Sequence, residues 1–232
     1  MKKEKNSFKT CIDNERNFLI SVVRKLSKNE WNKESLCGGW SVGEVVNHIM
    51  LLDRLPISLG WRSIPKLIFE LFFERRLITS SMINWQKRMT SLGIDDAVMR
   101  LSKKRNPVRS MFGITGMKFN LIEEVIHTED IIRPLGLNRT VNHDNYILWE
   151  CVKLLSSFQN KKLKHLKNIK IIFNDEYNMT LSRGFYGKKI NKISNSDSKI
   201  IGTPIELLLF FSGRPSNVKI TNDSITNENL KY

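Results

Sequence analysis

Apolar positions recur at helical spacing over residues 8–30, where Phe8, Cys11, Ile12, Phe18, Leu19, Val22, Val23 and Leu26 share one face. The pattern predicts a first helix. A loop, Asn32-Lys-Glu-Ser-Leu-Cys-Gly-Gly-Trp40, leads to a second helix. Ser41 and Glu44 open that helix as a capping box, and Pro56 stops it near Leu55. A third, long helix is predicted over residues 65–90, its apolar face broken by regular charges. A basic loop with Pro107 follows. The fourth helix begins near Thr115 and ends at Arg133-Pro-Leu-Gly136, where proline and glycine forbid continuation. Four such helices joined by loops make a bundle.

From about residue 140 the texture changes. Residues 144–164 read as a helix, and residues 169–181 and 192–201 as strands joined by polar turns. In the last helix Thr203 is the cap, Pro204 takes the first helical position, and Gly213 and Pro215 end it. The tail from Thr221 is polar and expected to be loose. The expected fold class is α+β: a four-helix bundle over residues 1–140, then a small α+β domain over residues 141–232.

Composition adds mostly exclusions. The 232 residues are 41% hydrophobic and 26% charged, ordinary values for a chain that buries a core. Met1-Lys-Lys-Glu-Lys-Asn lacks the apolar run of a secretory signal. The most apolar window, residues 64–74, carries Lys66, Glu70 and Glu74 and is too short and charged to span a bilayer. The expectation is a soluble, cytoplasmic protein with no membrane partner. Cys11, Cys37 and Cys151 have no metal-finger spacing, and their odd number argues against a disulfide framework. Cys37, in a glycine-flanked turn before a helix, reads as a small buried residue, with a reactive thiol as the alternative. The net charge of +15 is spread over residues 2–5, 100–109, 161–170 and 183–192. Without a recognition motif or aromatic interleaving it reads as solvated surface, and no specific nucleic-acid partner is expected.

The chemistry centres on the fourth helix. Glu123 and His127 are four residues apart, so they project from one helical face. His48 lies on the second helix. If the two helices pack side by side, two imidazoles and a carboxylate converge, the donor set of a divalent metal site with an open position. Taken singly, His48 reads as a hydrogen-bonded core residue, and Glu123 with His127 as a surface pair. Glu124, three residues from His127, competes with Glu123. Asp130 either orients an imidazole or is an ordinary acid near a helix end. His143 reads as a loop residue, His165 as exposed, and Trp40 as a packing residue at a helix start. Asp13 and Glu15 have no visible partners in the sequence.

Three motifs in order carry a resemblance. Cys37-Gly-Gly-Trp-Ser-Val-Gly-Glu-Val-Val-Asn-His-Ile resembles the opening motif of the mycothiol-dependent maleylpyruvate isomerase family, a branch of the DinB-like four-helix metal proteins. Glu123-Glu-Val-Ile-His-Thr-Glu-Asp-Ile-Ile-Arg-Pro-Leu-Gly is similar to its second motif, and Gly202-Thr-Pro-Ile-Glu-Leu-Leu-Leu-Phe-Phe-Ser-Gly-Arg to the helix closing its C-terminal domain. The resemblance implies a divalent metal, usually zinc, on His48, Glu123 and His127. It also implies an arginine from the C-terminal domain in the active site, with Arg214 the nearest match. The implied reaction is thiol-assisted cis–trans isomerisation of a small electrophile, or transfer of a low-molecular-weight thiol such as mycothiol. A hydrolase using metal-bound water and a non-catalytic metal-binding protein are the alternatives.

Overall fold

A computed structural model of the chain describes residues 2–52, 93–103, 113–158, 168–174, 176–182 and 197–221. The long helix expected over residues 65–90, Pro56, Pro107, His165 and the tail beyond Thr221 lie outside the described residues. Among those described there are seven helices and four strands, an α+β chain dividing into two compact units, Met1–Asn142 and His143–Tyr232.

In the first unit α1 (Lys2–Val23) packs along α5 (Gly113–Ile132), and α3 (Val42–Leu52) packs against another side of α5. The short helices α2 (Lys28–Trp31) and α4 (Ile94–Leu101) complete the described part of the unit. Phe18, Leu19, Val22 and Val23 of α1 share a core with Trp31, with Val42, Val45, Val46 and Ile49 of α3, and with Ile131 and Ile132 of α5.

The expected first helix is two helices. α1 ends at Val23, and Ser27 starts α2 through a reciprocal cap: its backbone N–H donates to Glu30 Oε2 (2.8 Å), and the Glu30 N–H donates to Ser27 Oγ (3.3 Å). The apolar rhythm hides this break because Leu26 and Trp31, on either side of the new cap, face the same core. α4 falls where only a loop was expected. Its signals are local, Asp95 and Asp96 in the first turn and Arg100 in the last, both favourable to the helix dipole. The α3 start follows expectation: the Ser41 N–H donates to Glu44 Oε2 (2.7 Å) and the Glu44 N–H to Ser41 Oγ (3.2 Å). α5 also stops as expected, at Ile132 just ahead of Arg133-Pro134, with Gly136 in the left-handed region (φ 67°) and the Leu137 N–H closing onto Ile132 O (3.0 Å).

The second unit holds α6 (Asn145–Phe158), α7 (Pro204–Phe211) and a four-stranded sheet of order β2-β1-β3-β4. β1 (Asn168–Ile172) pairs antiparallel with β2 (Asn178–Ser182) and parallel with β3 (Asp197–Ile201). β4 (Lys219–Thr221), an edge strand the hydrophobic pattern does not announce, pairs antiparallel with β3. Ile169, Ile171 and Ile200 are buried, as are Leu207, Leu208, Leu209 and Phe211 of α7, which packs against α6. Thr203 caps α7 with Pro204 beside it, and Gly213 (φ 76°) ends it.

Gly43 shows how tightly α3 sits on α2. A Cβ there would overlap the indole of Trp31, itself 5% exposed. Alanine is favoured over glycine in a helix by up to about 1 kcal/mol, but overpacking a core costs about 1–3 kcal/mol. Gly43→Ala is therefore expected to destabilise the protein on balance, read as a lower urea midpoint at unchanged slope.

Candidate metal centre

The placing of His48 follows from the cap at Ser41, which fixes the first turn of α3 and so the direction of each residue after it. α5 places Glu123 and His127 one turn apart on the side that meets α3. Three ligand-capable atoms, one each from His48, Glu123 and His127, lie within 4.8 Å of one another. Glu123 Oε2 is 3.4 Å from His127 Nε2 and 3.8 Å from His48 Nε2. The two rings meet edge to face with centroids 4.9 Å apart. Ligands held at about 2.0–2.1 Å by a tetrahedral ion stand about 3.3 Å from each other, so the cluster has nearly the spacing such an ion requires. The donor set, two imidazole nitrogens and one carboxylate oxygen, suits zinc or a related divalent ion.

The structure separates the two candidate glutamates. Glu123 faces the imidazoles, with its side chain 15% exposed. Glu124 turns toward α1, where Arg16 Nε donates to both of its carboxylate oxygens at 3.1 Å and Arg16 Nη2 also binds Oε1. Arg16 and Glu124 are 3% and 2% exposed. Asp130 faces His127: its Oδ2 lies 2.9 Å from His127 Nδ1. That contact occupies Nδ1 and leaves Nε2 for the cluster, the arrangement by which a carboxylate orients a metal-binding imidazole. Burial alone would push the His127 imidazole down. Hydrogen bonds to Asp130 and Glu123 and the charges of both carboxylates outweigh burial and raise its pKa to about 9.

Glu15 does have partners. Arg139 Nη1 and Nη2 donate to its two oxygens at 2.7 and 2.9 Å, while Arg139 Nε donates to Glu129 Oε1 (2.6 Å) and Arg133 binds the other Glu129 oxygen. Burial opposes the charge of Arg139, but Glu15 and Glu129 hold its pKa above the ordinary value. Neither this network nor Arg16 was found by sequence reasoning. Trp40, expected only to pack at a helix start, places its indole 5.0 Å from the His48 ring. Cys11, Cys37 and Cys151 form no disulfide; the first and last are buried and Cys37 is half-buried. His143 is a half-buried residue ahead of α6. Arg214 lies in the second unit, at the turn after α7; its N–H donates to Leu209 O (2.9 Å) and its Nη1 to Ser212 O (3.0 Å). Among the described residues no helix is long and apolar enough to cross a membrane.

The family model described as the mycothiol maleylpyruvate isomerase N-terminal domain matches residues 12–55, a span that includes the whole first motif and His48. Two solved structures are similar over nearly the whole chain. A crystal structure of the mycothiol-dependent maleylpyruvate isomerase gives a TM-score of 0.54 at 11% identity, covering 96% of this chain and 92% of that one. The fold is the maleylpyruvate isomerase fold. A mutant of that enzyme with alanine in place of a histidine gives a TM-score of 0.51 at 11% identity and the same coverage. No curated protein matches the chain in sequence. The model match on the first motif and the shared fold support the family resemblance read from the three motifs.

Two outcomes are expected from this geometry. Glu123→Ala abolishes stoichiometric zinc binding and loses only the part of the stability that its contact with His127 supplies, while Glu124→Ala leaves Arg16 buried without its carboxylate and costs about 3–5 kcal/mol of stability. Metal titrations and denaturation curves on both variants separate the two roles. The second outcome is a pH dependence. Because the pKa of His127 is raised, its stabilising charge in the metal-free protein is full below about 6.5 and lost as pH rises through about 9. A metal must displace that proton, so apparent zinc affinity measured against a chelator should rise with pH and level off above about 9.

Proposed function

We propose that the chain is a divalent-metal enzyme of the maleylpyruvate isomerase type, acting in the cytoplasm on a small electrophile with a low-molecular-weight thiol such as mycothiol. The observation that carries the proposal is the approach of one carboxylate oxygen, Glu123 Oε2, to Nε2 of both His48 and His127. In this reading residues 1–140 form the metal-binding bundle, residues 141–232 form a small α+β domain, and His48, Glu123 and His127 are the ligands. Charge supports it: once the metal has displaced the extra proton of His127, the carboxylates of Glu123 and Asp130 offset a divalent cation. Zinc is the proposed ion; bound there, it would lower the pKa of a thiol or water.

The chain's own residues have separate parts. Asp130 Oδ2 holds the proton on His127 Nδ1 and keeps Nε2 pointed at the cluster. Arg214 is proposed to hold a substrate carboxylate through a bidentate contact. The thiolate sulfur forms a bond to one carbon of a conjugated double bond, which becomes single and turns; elimination of the same thiol restores the double bond in the other geometry. No net oxidation occurs and the thiol is regenerated. If the thiol instead displaces a leaving group, the product is a thioether and the activity is transfer.

The test uses zinc-loaded protein, maleylpyruvate and a panel of thiols including mycothiol. Isomerisation is expected only with thiol present, and to vanish in His48→Ala together with the bound zinc. Hydrolytic cleavage of a substrate without thiol would replace this reading with that of a hydrolase, and zinc binding without turnover on any substrate would leave a metal-binding protein. Arg214→Met is expected to raise KM for the carboxylate substrate about tenfold or more, from the loss of a charge-assisted contact worth about 1.5–3 kcal/mol, with metal content unchanged.

A further inference from the structure

His48 is two turns into α3, yet its ring is met by a residue outside that helix. Trp40 approaches edge-on, with centroids 5.0 Å apart and planes inclined by 61°. Helical spacing does not dictate this contact, because Trp40 precedes the cap of α3. The preceding loop sets it. The Ser35 N–H and Oγ–H both donate to Trp40 O, at 2.9 and 2.8 Å. The Trp40 N–H donates to Cys37 O (3.0 Å), and the Cys37 N–H to Ser35 Oγ (3.1 Å). Gly39 makes the reversal possible at φ 82°, with nothing within 4 Å of where its Cβ would be, so conformation rather than space calls for glycine. The loop therefore closes on itself as a small hydrogen-bonded ring, with Ser35 only 6% exposed at its base.

The same ring reaches the other histidine. The Leu36 N–H donates to the main-chain oxygen of Asp130 (3.0 Å), the residue whose carboxylate holds His127 Nδ1. We infer that residues 35–40 are one positioning element for both imidazoles: Trp40 fixes the ring plane of His48, and Leu36 fixes through Asp130 the placement of His127. Trp40 and Leu36 are positioning residues; they act through the histidines. The inference rests on the metal reading of the cluster.

The experiment compares Trp40→Leu with Trp40→Phe, which keeps an aromatic edge, and with Gly39→Ala, which strains the loop. Zinc affinity is measured by competition with a chromophoric chelator. Ligand geometry is read from the d–d bands of the cobalt(II)-substituted protein, and overall packing from the melting temperature without metal. Trp40→Leu and Gly39→Ala are expected to weaken zinc binding about tenfold or more, the scale found for residues supporting a ligand, and to change the cobalt bands. Trp40→Phe should stay close to wild type in both. Wild-type affinity and bands in Trp40→Leu would overturn the inference. So would equal weakening in Trp40→Leu and Trp40→Phe that only tracks a lower melting temperature, since that is bulk packing. If the wild type binds no zinc, the metal reading fails on its own. The positioning claim is then read from the imidazole C–H resonances of His48 in the metal-free protein. Broadened or multiple signals in Trp40→Leu support it, and one sharp set at the wild-type position overturns it.

Discussion

Six of eight consecutive positions on α5, from Glu123 to Asp130, are polar or charged, and all of them but Glu123 are buried. An unpaired charge in such a setting costs several kcal/mol, a large part of the 5–15 kcal/mol that keeps a domain folded at all. Each group must therefore find its partner when the helices close. The fold meets this by sending neighbours in different directions. Glu124 goes to Arg16 on α1, Glu129 to Arg133 and Arg139, and the Thr128 hydroxyl to the carbonyl of Glu124 (2.7 Å). The contacts to Arg16 and, through Arg139, to Glu15 tie α5 to α1 and oppose its rotation, and Glu123 and His127 face α3. The ion pairs on one side of the helix thus aim the chemistry on the other.

The sequence is most legible where signals are local. The cap at Ser41, the stop at Pro134-Leu-Gly136 and the Thr203-Pro204 start are each settled within a few residues, and they bound the helices that carry His48, Glu123 and His127 and the one that leads to Arg214. The one-turn spacing of Glu123 and His127 is equally local. Convergence with His48 is not local: it requires α3 to pack beside α5, and only the family-like order of the three motifs points to that.

What stayed hidden is long-range or competes with a stronger rhythm. Glu124 and Glu123 are adjacent in sequence, and nothing within α5 says which faces the histidines; the answer is written on α1, at Arg16. Glu15 gave no sign of a partner because Arg139 follows a turn whose path depends on the fold. The break between α1 and α2 was masked by apolar residues that serve one core from both sides of it. β4 is three residues long, below the length at which alternation can be recognised.

From Leu121 to Ile132 every residue of α5 is buried except Glu123, which is half-buried. Such a helix has little freedom to vary: an apolar position can exchange only for another of similar volume, and a charged one only together with its partner on another element. Divergence of activity among relatives built this way would have to come from outside the helix, in the segments that border Glu123. The central helix would then be the slow-changing part of the molecule, and its surroundings the part in which new substrates are acquired.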